Sequence, residues 1–194
     1  MDKRLSERFD LIIKEYGPLL SRVASSYEAN EAVRQELYQE ICMACWQALP
    51  RFNENASIKT YLLKIAHNRC ISHVAKESKL IKNSQPNDLE PTTENNTEAT
   101  EEAIHGSLTD KQSPETQSIQ TQKLNALLRA VRSLNLENRQ VITLSMEGCS
   151  YQEIAEITGL TTNHVGVSIS RIKTELKQKI DLIENRTKPR STPS

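Results

Sequence analysis

No run in this sequence approaches the roughly eighteen apolar residues of a membrane span, and no short apolar segment follows Met1. These absences exclude a membrane-spanning or signal-directed chain, so the expected compartment is cytoplasmic. The four cysteines are then expected to stay reduced, without disulfides. Aromatic residues are only 4% of the 194, and Lys+Arg balances Asp+Glu at 25 each. Such a composition fits one domain or two small ones and points to no partner by itself. No internal repeat is present. The balanced total hides a division, with net charge +2 over residues 1–76, −6 over 77–115 and +4 over 116–194. Two mildly basic blocks are joined by an acidic strip.

Both blocks carry helical patterns. Phe9, Ile12, Ile13, Tyr16, Leu20, Val23 and Tyr27 follow a helical period, with Gly17-Pro18 expected to break or kink it. Asn30 can cap a second helix with the stripe Val33, Leu37, Ile41, Cys45 and Leu49, which Pro50 ends. "RFNENAS" is a loop, and Ser57 can cap a third helix running to about Lys76. Its expected buried side is Ile58, Tyr61, Leu62, Ile65, Ala66, Cys70 and Val74. Over residues 79–118 the pattern collapses into Asn, Thr, Glu, Gln and Ser with isolated apolar residues. Such a segment buries too little surface to offset chain entropy and is expected to be a flexible acidic linker. Periodicity resumes with Leu124, Leu127, Leu128, Val131 and Leu134, and a short helix around Val141, Ile142, Leu144 and Met146 leads to Gly148.

The stretch "CSYQEIAEITGLTTNHVGVSISRIK" reads as two helices about a glycine turn. Ser150 and Glu153 have the spacing of a capping box, Gly159 can take the positive φ of a tight turn, and Thr161 can cap the next helix. That helix has one apolar stripe, Val165, Ile169, Ile172, Leu176, Ile180 and Ile183. With Val165 inside, Asn163, Val167, Ser170 and Thr174 point outward, flanked by His164 and Arg171 on one side and Gly166, Lys173 and Lys177 on the other. A polar, basic outer face with small residues near its N-terminal end suits a major groove. The expected fold is therefore all-α: a small helical domain over residues 1–78, the linker 79–118, a second helical domain over 119–184 ending in a helix-turn-helix, and a disordered tail 185–194.

The first block shows what kind of DNA binder this is. Glu36-Leu37, Gln39-Glu40, Trp46, Phe52, Thr60-Tyr61-Leu62 and Ile65-Ala66-x-Asn68-Arg69 resemble region 2 of bacterial RNA polymerase sigma factors, in the small extracytoplasmic-function (ECF) group of the sigma-70 family. "LNLENRQVITLSMEGCSYQEIAEITGL" through "SRIKTEL" resembles region 4 of the same group. The resemblance covers both blocks in the correct order. The chain departs from that pattern at Asn135, where proline is usual, at Ser72, where an acid is usual, and at Gly166-Val167-Ser168, where basic residues are usual.

The resemblance implies a protein without catalytic chemistry or cofactor that directs core RNA polymerase, through its β′ and β subunits, to promoter DNA. The polar face Glu36, Gln39, Glu40, Met43 and Gln47 would dock on the β′ coiled coil. Thr162, Asn163, His164, Val167, Ser170, Arg171, Lys173 and Lys177 would read the −35 duplex. Asn53, Ser57, Lys59, Thr60, Lys64, His67, Asn68 and Arg69 would serve −10 recognition and melting. Within that set Asn68 and the loop 53–57 would hold a base, and Lys59, Lys64 and Arg69 the backbone. Tyr61 and Trp46 are expected in the core. The linker would thread the polymerase cleft, and an anti-sigma factor is a further candidate partner. Two other readings stay open at this point. One is a plain helix-turn-helix regulator with a sensing or dimerising N-terminal domain. The other is a metal sensor built on Cys42, Cys45, Cys70 and His73, against which stands the helical placement of those pairs.

Overall fold

The computed structural model describes residues 3–53, 55–83 and 114–187. Among them are seven α-helices and no strand: α1 Lys3–Ser25, α2 Glu31–Ala48, α3 Ile58–Asn83, α4 Pro114–Arg132, α5 Leu136–Met146, α6 Tyr151–Thr158 and α7 Thr162–Thr187, with a 3-10 turn at Leu49–Arg51. Helices α1–α3 pack on one another as one unit and α4–α7 as a second.

Local chemistry sets most helix ends. Asn30 caps α2 by accepting from the Val33 N–H at 3.2 Å, and Pro50 lies in the turn that closes it. The Ser57 hydroxyl accepts from the Thr60 N–H at 3.1 Å and starts α3. Asn135 caps α5 by accepting from the Asn138 N–H at 2.8 Å. Ser150 and Glu153 form the expected capping box, Gly159 turns the chain at φ 79°, and Thr161 accepts from the His164 N–H at 3.2 Å.

Two expectations are corrected. Gly17-Pro18 does not break α1, which runs through both residues. The hydrogen bond Pro18 cannot make would go to Lys14, and both residues are exposed, so solvent can serve that carbonyl. Gly17 instead brings α2 close: a Cβ there would stand 3.1 Å from the Tyr38 hydroxyl. Helix α3 also continues past Lys76 to Asn83, and α4 starts at Pro114, so helix enters both ends of the segment expected to be linker. Residues 84–113 and 188–194, with what was expected of the rest of the linker and of the tail beyond Thr187, lie outside the described residues.

In the first unit Leu20, Val23, Leu37, Ile41, Leu62, Ala66 and Cys70 are buried, and Trp46 meets Phe9 edge-on at 5.0 Å. In the second Val131, Val141, Leu144, Ile154, Val165, Ile169 and Ile172 are buried. Each buried Val, Leu or Ile side chain among them contributes about 1.5–3 kcal/mol relative to exposure. The buried residues of the two units form one connected cluster. Helix α3 shows why. Beside its expected stripe it buries Thr60, Leu63 and His67, so it is covered on more than the side turned to α1 and α2, and it also packs on α5 and α6.

Candidate nucleic-acid interface

Helix α7 presents the outer face its period requires. Thr162, Asn163, His164, Val167, Ser170, Arg171, Lys173, Thr174 and Lys177 are all exposed, while Val165, Ile169, Ile172 and Leu176 fix the opposite side in the core. Gly166 leaves room for the Tyr151 ring of α6, 3.3 Å from where a Cβ would stand, so a basic residue there would have to displace that ring. His164 is drawn toward Glu137 of α5, with Nε2 3.6 Å from its carboxylate. The result is a helix with polar atoms along one free face, where Val167 is the apolar side chain exposed in its first two turns.

The first-unit residues divide into two groups. Lys64, Asn68 and Arg69 are exposed on α3, and Asn53 and Ser57 are exposed in the loop before it. Asn68 and Arg69 line a groove between α2 and α3 together with Gln47, Arg51, Ile65 and Ser72. Arg51 was not picked out from the sequence; its place beside Pro50 gave it no helical register. Lys59, Thr60 and His67 are engaged elsewhere. The Lys59 ammonium donates to the Glu147 carbonyl at 2.5 Å, and the Thr60 hydroxyl donates to Glu153 at 2.9 Å. His67 is fully buried and shares a 2.9 Å hydrogen bond with the Tyr27 hydroxyl through Nδ1. It is thus a core residue rather than a contact for a strand.

Burial pushes the His67 imidazole down to about 3. A base whose folded pKa lies below its unfolded value, ordinarily near 6.5, favours the folded state fully above the unfolded value. That contribution is lost as pH falls from there toward the folded value. Stability is expected to drop by about 2 kcal/mol between pH 7 and pH 5 through this group. Denaturant titration of wild-type and His67→Gln proteins at both pH values checks it: the variant should lose most of this slope. Equal slopes would contradict the assignment.

The face Glu36, Gln39, Glu40, Met43 and Gln47 is exposed along α2 as its apolar stripe requires. Tyr61 is half-buried, stacked at a tilt on Phe52 at 5.0 Å and donating to the Ala48 carbonyl at 3.0 Å, a packing residue as expected. The cysteine and histidine set weighed as a metal site is not assembled. Cys45 and Cys70 are buried thiols pushed up to about 12 by burial, and His73 pairs with Glu28 at 3.2 Å. Among the described residues, the grouping that brings ligand-type atoms within 4.8 Å of one another is Glu28, His73 and Glu77, which ties the connection between α1 and α2 to α3.

Comparison with known proteins follows the same two units. Residues 12–80 match the family Sigma-70 region 2, and residues 124–176 match Sigma-70, region 4. Over 173 residues the chain is 24% identical to the ECF RNA polymerase sigma-E factor of Escherichia coli K12, spanning 89% of this chain and 86% of that protein. Its fold is similar to that of the sigma factor RpoE of Bartonella quintana, solved with the anti-sigma factor NepR. The TM-score is 0.67 at 22% identity, covering 90% of this chain and 98% of that one. CnrH, solved with the cytosolic domain of CnrY, gives a TM-score of 0.58 at 17% identity, covering 91% and 90%. No helix of the described residues is long and apolar enough to cross a membrane. Two sigma regions in their proper order, on described residues that fold into helices, make this chain a member of the sigma-70 family: an ECF sigma factor that directs promoter-specific transcription.

Proposed function

We propose that the second unit, residues 119–184, grips the −35 duplex through the outer face of α7. In this reading the first unit, residues 1–78, docks on core polymerase and opens the −10 region. The observation that carries it is the pair of exposed polar surfaces on separate units, Asn163 to Lys177 along α7 and Lys64, Asn68 and Arg69 along α3. A regulator that only binds duplex has use for the first. Holding an unpaired strand calls for the second, where basic groups track phosphates and a groove accepts an unstacked base. Arg51 and Arg69 line the groove that holds Asn68, so two guanidiniums stand where phosphates flank a captured base. Helix α2 supplies the polymerase face, toward β′, through Glu36, Gln39, Glu40, Met43 and Gln47. The chain works in the cytoplasm and carries no catalysis of its own; polymerase makes the RNA. Relatives solved with protein antagonists support an anti-sigma factor as a third class of partner.

The −35 assignment is tested on holoenzyme. Arg171→Ala is expected to weaken promoter binding by about 1–3 kcal/mol and to relax discrimination at one base position. Lys173→Ala is expected to weaken all promoters alike and to flatten the log–log salt slope by about 0.9, the signature of one lost phosphate contact. Binding titrations across salt and across single-base promoter variants separate the two. Promoter-selective loss in Lys173→Ala would overturn its backbone role.

A further inference from the structure

Three ligand-type side chains converge within the first unit, and the proposed DNA and polymerase surfaces use none of them. Glu28 stands in the connection between α1 and α2, while His73 and Glu77 lie four residues apart on α3. His73 Nε2 is 3.2 Å from Glu28 Oε2 and 3.7 Å from Glu77 Oε1. All three donor atoms lie within 4.8 Å of one another.

Local chemistry holds each side chain there. The Glu28 N–H donates to the Ala24 carbonyl at 3.0 Å, where the chain leaves α1. Its Oε1 accepts from the N–H of Asn30, the cap of α2, at 2.6 Å. One carboxylate oxygen is thereby committed to backbone, and Oε2 is the one turned to α3. The Arg132 guanidinium senses the Glu28 charge but donates to the Ser25 carbonyl at 2.8 Å. On α3 the spacing of His73 and Glu77 puts both on one face of the helix.

The environment gives this cluster a reason to take a cation. The Glu28 and His73 side chains are only 11% and 14% exposed, and a carboxylate so shielded is costly unless its charge is met. Two carboxylates face one imidazole, which leaves the three side chains with a negative balance even when His73 is protonated. The Glu77 side chain, 45% exposed, opens the cluster to solvent on one side and gives an ion its way in.

We infer that Glu28 Oε2, His73 Nε2 and Glu77 Oε1 bind a first-row divalent cation of the zinc type. Donors on tetrahedral bonds of about 2.0–2.2 Å stand about 3.3–3.6 Å apart, close to the separations from His73 to each carboxylate. One imidazole nitrogen with two carboxylate oxygens suits zinc, cobalt or manganese. Calcium calls for six to eight oxygens and magnesium for a near-octahedral oxygen shell, so both fit this set less well. The cation takes the place of a proton on Nε2, and water on the Glu77 side completes its coordination. Bound there, it braces the connection between α1 and α2 against α3. None of its ligands lines the groove that holds Asn68 and Arg69, so that surface stays open.

Cobalt(II), a coloured stand-in for zinc, tests this in the full, reduced chain. Titration should saturate at equimolar metal with visible d–d bands, and without the near-ultraviolet charge-transfer band of thiolate ligation. Glu77→Gln changes a partly exposed position and should weaken binding at least roughly tenfold, as should His73→Gln. With free zinc at about 100 times the dissociation constant, the wild-type folded-to-unfolded ratio in denaturant titration should rise roughly 100-fold. In Glu77→Gln at the same zinc concentration the gain should be roughly tenfold or less. No saturation up to millimolar cobalt, a thiolate band, or an affinity unchanged in Glu77→Gln would overturn the site. If His73→Gln fails to fold, Glu77→Gln decides the matter by itself.

Discussion

Holoenzyme carrying Asn68→Ala with Lys64→Ala is expected to reach the promoter and stall there closed. Both residues are exposed on α3 and neither belongs to the contacts that join the two units, so their loss should leave the fold and those contacts unaltered. On the proposed reading the −35 grip through α7 remains, and recruitment with it. What is lost is preference for the open strand. Unstacking a base costs a few kcal/mol, and only contacts made after opening offset it. Removing two such contacts at about 1–1.5 kcal/mol each lowers the open fraction by roughly 30–150-fold. Permanganate reactivity of thymines on a linear promoter reads that fraction. A template mismatched over the −10 region should recover part of the defect, because its unpairing has been done in advance. Wild-type opening by the double variant would remove α3 from the melting step.

The second large effect concerns assembly. Glu36→Lys with Glu40→Lys reverses two exposed charges on α2 that point away from the core residues Leu37 and Ile41. A basic surface on the partner would turn from attractive to repulsive. A weakening of about 10–100-fold in affinity for core polymerase is expected, expressed first as slower association and lessened by salt. Circular dichroism should show unchanged helicity, since neither side chain packs in the core. Unaltered affinity with intact helicity would place the docking face elsewhere.

Much of this architecture could be read from local patterns. Ser150 and Glu153, Gly159, Asn30 and Ser57 act within three or four residues of themselves, where chain geometry leaves few alternatives. The stripe from Val165 to Leu176 fixed the outer face of α7 in the same way. The contacts between the units had no such signal. Arg22 and Glu147 are 125 residues apart, and nothing in one sequence gives the register of that pairing. Lys59, Thr60 and His67 illustrate the consequence. A helical period tells which side a residue occupies but not what covers that side, so three polar residues were taken for a free surface when α5, α6 and Tyr27 lie over them. The cysteines mislead in the opposite sense. Cys42-x-x-Cys45 copies a metal-site spacing, yet on a helix it turns one thiol into the core and leaves the other half-buried. Gly17-Pro18 misleads because a proline whose missing bond faces solvent does not stop a helix.

Core polymerase mixed with this chain on linear genomic fragments, probed with permanganate, tests the central claim most directly. The account predicts thymines that become reactive in a −10 region only when chain and core are both present, with transcripts starting just downstream. If no fragment opens with the wild-type chain, while the chain alone still binds duplex DNA, the assignment of promoter opening to this protein is contradicted.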